Sequence, residues 1–109
     1  MKIIKRKEFL LMPEGTVYAK IEQKWIIDDL CVKYESLEDD WFYQAFNYVD
    51  AHSSEEATDR LEEMLESGVS YPVENSIARD GLYEQKDMFL IYEPDDIKYI
   101  INALTTKDK

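Results

Sequence analysis

The sequence predicts an α+β fold: an antiparallel sheet of four to six strands with two amphipathic helices packed on one face. Three observations predict it. Short runs with period-two alternation or continuous apolar character recur along the chain, as strands require. The gaps between neighbouring runs are too short for crossover connections, so these strands pair antiparallel. Two longer segments repeat apolar residues at helical spacing, and both carry start signals. The chain has 109 residues, the size of one domain, and residues 1–109 read as a single α+β domain.

Lys5–Leu11 reads as one short helical turn, broken by Pro13-Glu14-Gly15. Thr16–Ile21 alternates, with Val17, Ala19 and Ile21 on one face and Tyr18 and Lys20 on the other. Trp25–Ile27 and Leu30–Tyr34 follow, and the gap Glu22–Lys24 is short enough for a hairpin. Trp41–Val49 fits a strand or a helix. Its aromatics suit a pleated surface, so a strand is expected.

The first clear helix spans about Ser54–Ser67. Ser53 and Glu56 have capping-box spacing, and Gly68 is placed for a left-handed C-terminal cap. Ala57, Leu61, Met64 and Leu65 form its core-facing stripe. A short strand at Val69–Val73 and a polar loop over Asn75–Gln85 come next. Met88–Tyr92 is a continuous apolar run, as in a central strand. Pro94 opens the last helix, Asp95 and Asp96 complement its dipole, and Ile97, Ile100, Ile101 and Leu104 share a face.

Composition bounds the function classes. Hydrophobic residues make up 45% of the chain, too many for a disordered one. The single cysteine, Cys31, cannot close an internal disulfide. No signal peptide and no run of ~20 apolar residues is present, so the expected location is the cytoplasm, without membrane contact. The net charge is −11. From Glu35 to Glu66 there are eleven acids against one base, Arg60, so nearly all of that charge lies in one stretch. Such a surface repels free nucleic acid and anionic membranes and attracts a basic partner.

Glu55, Asp59, Glu62 and Glu66 fall at i, i+4, i+7 and i+11 of the first helix. At about 1.5 Å rise per residue their carboxylates repeat every ~4.5–6 Å along one line. With Glu63 and the turn acids Asp39 and Asp40 they form a candidate partner-binding face. A basic nucleic-acid groove of a partner protein is one surface it fits. The competing reading is a plain solvated helix face. The pairs Asp28-Asp29, Asp39-Asp40 and Asp95-Asp96 read as turn or cap residues, because adjacent strand residues point to opposite faces. Cys31 and His52 do not make a nucleophile pair by pattern, and zinc would need more soft ligands. No cofactor, metal or catalytic set is therefore expected, and the protein is read as a non-enzyme.

Aromatics crowd the N-terminal half. Tyr18, Trp25 and Tyr43 are the candidates for stacking on a nucleobase, as in a sponge protein that sequesters a nucleotide signal at a dimer interface. On Trp41–Val49 one face would carry Trp41, Tyr43, Ala45 and Val49, and the other Phe42, Phe46 and Tyr48. Two apolar faces imply a covered central strand or a homodimer. The basic residues Lys2, Lys5, Arg6 and Lys7 are expected to pair with the protein's own acids.

The opening Lys5-Arg6-Lys7-Glu8-Phe9-Leu10, then Pro13, Gly15-Thr16 and Tyr18, resembles the start of small accessory proteins encoded by bacteriophages. That resemblance implies a phage protein acting in the host cytoplasm. By class it implies an inhibitor of host defence, such as an anti-CRISPR protein that blocks a nucleic-acid groove, or a nucleotide sponge. It carries no named site.

Overall fold

The computed structural model describes residues 1–81 and 87–106. Among the described residues seven strands and three α-helices follow in the order β1 (Lys2–Lys5), α1 (Arg6–Leu10), β2 (Val17–Glu22), β3 (Ile26–Ile27), β4 (Cys31–Ser36), β5 (Trp41–Ala45), α2 (Ser54–Ser67), β6 (Ala78–Asp80), β7 (Met88–Tyr92) and α3 (Pro94–Thr105). One antiparallel sheet runs β1-β7-β2-β4-β5-β6, and β3 pairs with the end of β2. The α+β class and the antiparallel sheet are as the sequence predicts, with more strands than four to six.

The extra strands lie where the periodicity is weakest. β1 has only four residues and carries a lysine at each end. β6 lies in the segment read as a polar loop, and its three residues are held by register against Trp41, Phe42 and Tyr43. The remainder of that expected loop, 82–86, lies outside the described residues. Trp41–Val49 is strand only to Ala45. Val49 then makes an isolated antiparallel bridge to Val73, which is all that remains of the expected strand at Val69–Val73.

The core is aromatic and sits on one face of the sheet. Phe9 of α1 stacks on Phe89 at a ring separation of 4.0 Å and meets Tyr18 and Trp41 edge-on at 4.6 and 5.0 Å. Such pairs add to the burial of their apolar area. The buried Trp41 indole N–H donates to the Tyr18 hydroxyl at 2.8 Å. The opposite face of β2 is also closed, because Ala19 and Ile21 are buried. Tyr18 therefore lies in a sheet covered on both sides, where alternation alone read its face as the less buried one.

Charged residues are built into this core. Arg6 is buried, donates to Asp87 at 2.7 Å and to the Asp39 carbonyl, and lies over the Trp41 ring. Lys33 is only 1% exposed, and its ammonium is held by the carbonyls of Met12 (2.9 Å) and Tyr34 (3.1 Å). Burial pushes its pKa down, against the opposing pull of Glu14.

The helices contribute unequally. The expected cover of two amphipathic helices is not what closes this core; the five-residue α1 does so through Phe9. α2 has the predicted ends: the Ser53 side chain accepts from Glu56 N–H at 3.1 Å, and Gly68 is left-handed at φ 72°. Of its apolar stripe only Ala57 is buried, and Leu65 is 86% exposed. α2 is instead tied to the Val49–Val73 bridge region. Arg60 donates to the Asp50 carbonyl and lies over the Tyr71 ring, and Tyr71 donates to Glu63 at 2.8 Å. α3 packs against β7, and the terminal amine of Met1 pairs with Glu93 and Asp96 at its N-terminus.

Candidate functional site

The predicted acidic face divides into two parts. Glu55, Asp59, Glu62 and Glu66 lie exposed along α2, and among the described residues none of them has an ion-pair partner. Arg60, the one base on the helix, is occupied by Glu56 at 2.9 Å and by Asp50. Glu63 accepts the Tyr71 hydroxyl, which raises the tyrosine's pKa. The α2 acids thus form an open line of carboxylates with one member anchored.

The turn acids are used differently. Asp40 is buried and accepts from Arg79 Nε at 2.5 Å, and its carbonyl closes the turn with Leu37 N–H at 2.7 Å. Asp40 is therefore a structural acid of the β4–β5 turn and does not belong to an open anionic face. Asp39 keeps an exposed side chain, but Arg6 holds its carbonyl. Charge count alone could not separate them, because the difference lies in Arg79, which reaches Asp40 from β6.

The stacking candidates do not come together. Tyr18 is 1% exposed and its ring is enclosed by Phe9, Trp41 and Phe89, so neither ring face is open to a base. Trp25 is 66% exposed at the β2–β3 turn. Tyr43 is half-buried in a hollow of about 350 Å³.

That hollow is the concave site the sequence did not single out. Its walls include Asp28, Asp29, Glu74 and Asp80, with Tyr43 and Tyr48 beside them. Lys20 lies within it but is engaged by Asp80 at 3.4 Å and Asp87 at 3.9 Å. Asp28 and Asp29 both reach the hollow because the chain leaves strand conformation between Ile27 and Cys31, so strand alternation does not apply to them. Asp28 is exposed as a residue, yet its carboxyl is partly shielded from water. That shielding, with the neighbouring Glu22 carboxyl, pushes its pKa up to about 6. Burial, with Asp29 nearby, pushes the Cys31 thiol up to about 11. Burial and the surrounding acids also raise Tyr43. A negative lining of this kind opposes phosphate and hence a nucleotide.

Cys31 is buried with its thiol directed to the Asp29 carbonyl, while His52 is exposed ahead of α2. Among the described residues no three His, Cys, Asp or Glu side chains converge closely enough to hold a metal ion. Among the same residues no helix is long and apolar enough to cross a membrane. Comparison with protein-family models, curated proteins and solved structures finds no match to this chain.

Proposed function

We propose that this is a non-enzymatic binding protein that docks the α2 carboxylate line on a basic surface of a partner protein. The observation that carries this reading is the energetic arrangement of α2 itself. Its acids are stacked at helical neighbour positions, Glu55 with Asp59, Asp59 with Glu63 and Glu62 with Glu66. Like charges at i, i+4 destabilise a helix by about 0.2–0.5 kcal/mol per pair. Glu63 and Glu66 also lie toward the negative end of the helix dipole, and no base stands in the last turn. A helix face needed only for solubility is better served by mixed signs. A line of one sign, kept at a cost and held off the sheet, fits an electrostatic docking surface.

The resemblance to phage accessory proteins makes the partner a host protein, with a defence complex whose groove holds nucleic acid as the leading candidate. Opposed potentials of this kind speed association and make it salt-sensitive. Reversing Glu55, Asp59, Glu62, Glu63 and Glu66 to lysine is expected to abolish capture of the partner from host lysate. Unchanged capture by that variant would falsify the proposal.

A further inference from the structure

The β2–β3 arm, which leads into the acid-lined hollow through Asp28 and Asp29, leaves several apolar side chains uncovered. Trp25, Ile26, Ile27 and Leu30 are all exposed, although they lie close together in the chain. Single exposed apolar residues are ordinary, but four on one short arm, with Ile26 on one face and Ile27 on the other, exceed that and mark an interaction surface. The arm's tip is held in an uncommon conformation, with Lys24 and Trp25 both at φ 62°. Left-handed backbone at a residue as bulky as tryptophan is rare and clusters at binding sites. Register pairs Ile26 with Glu22, on the side of β2 that carries Lys20 and Tyr18, which is the side of the hollow.

The hollow itself fits a cation. At about 350 Å³ it is at the small end of the ~300–1,000 Å³ range of ligand pockets. Four carboxylates face one lysine that is already engaged within the protein. The acids are spread round the walls and do not converge on a point, an arrangement that suits an extended organic cation. Tyr43 and Tyr48 supply aromatic surface, against which a guanidinium or ammonium group is also favoured.

We propose that the hollow and the arm form a docking surface for a partner segment in which an arginine or lysine is flanked by apolar residues. The cation enters among Asp28, Asp29 and Glu74, and its apolar neighbours cover Trp25 and Ile26. This surface is additional to α2 and does not depend on it.

Titration of the isotope-labelled protein with two blocked pentapeptides tests this: Ala-Leu-Arg-Leu-Ala, and its counterpart with neutral citrulline in place of arginine. The arginine peptide should shift the Trp25 indole signal and the amides of Asp29, Cys31 and Tyr43. The citrulline peptide should bind about tenfold more weakly or worse, a difference of ~1.4 kcal/mol. Asp29→Asn with Glu74→Gln should erase that preference, and Trp25→Ala should weaken both peptides. The α2 lysine variant should keep it, which separates this surface from the α2 proposal. An unchanged signal from the buried Trp41 indole verifies that each variant is folded. Equal affinity for the two peptides, no shift at millimolar peptide, or shifts centred on α2 would overturn the inference. So would concentration-dependent shifts at the arm without peptide, because the occupant would then be a second copy of the chain.

Discussion

Trp41 joins several contacts in one side chain. Its ring meets Phe9 and Phe89 edge-on, its N–H donates to Tyr18, and the Arg6 guanidinium lies 5.0 Å from the ring centre. Tyr18→Phe preserves the ring but removes the acceptor, leaving a buried indole N–H without a partner. The expected cost is about 1–3 kcal/mol, read as a lower urea midpoint with an unchanged slope. The same region sets the alkaline limit. Burial raises Tyr18, and Cys31 is raised to about 11 from its ordinary 9.0. The folded state keeps a thiol proton that the unfolded chain gives up above pH 9, so stability falls as pH rises from 9 toward 11. Cys31→Ala should flatten that part of the fall in urea midpoints measured across this range, and an unchanged profile would contradict it. Lys33 acts with the opposite sign, since its lowered pKa makes its own contribution grow as pH approaches 10.5. None of this was legible in the sequence. A lysine opposite Tyr43 in the sheet register reads as a surface residue until Met12 and Tyr34 are seen to hold it.

Elements were legible in proportion to how local their signals are. The ends of α2 are set by Ser53 and Gly68, and the start of α3 by Pro94 with the Glu93–Asp96 capping box, all within a few residues. β1 and β6 carry no such signal and exist because β7 and β5 offer them an edge. The stripe of α2 was read as core-facing, yet Leu61 and Leu65 are exposed, because Arg60, Glu63 and Tyr71 attach this helix beside the bridge region. Helix energetics should then be visible locally. Ser53→Ala removes the cap and should lower amide protection across α2 by about 1 kcal/mol. Glu66→Gln relieves repulsion at the negative end and should raise protection by a few tenths, about 0.2–0.5 kcal/mol. Hydrogen exchange should show both effects in α2, with the sheet amides of β2 and β7 unchanged. Equal loss of protection in the sheet after Ser53→Ala would mean that α2 is integral to the core.

At the scale of the molecule, charge and packing are segregated. The radius of gyration is 16.0 Å, against about 13 Å for a compact domain near this length. That expansion fits a closed aromatic core with loosely attached parts around it. The closed part is β1, β7, β2, β4 and β5 under α1. The parts that project are α2 with its carboxylates and the β2–β3 arm with Trp25. The charge map was legible in the sequence, and so was the carboxylate line of α2. The removal of Asp40 from that face and the acid-lined hollow were not, because both depend on residues from distant strands meeting at the sheet. Recognition of a basic partner by the α2 line is read in binding as a function of salt. A partner captured from host lysate should bind the native protein with an affinity that falls steeply as salt rises, and should not bind the variant with Glu55, Asp59, Glu62, Glu63 and Glu66 changed to lysine. Equal affinity for the two proteins, with no dependence on salt, would contradict the account and leave α2 as a solvated helix face.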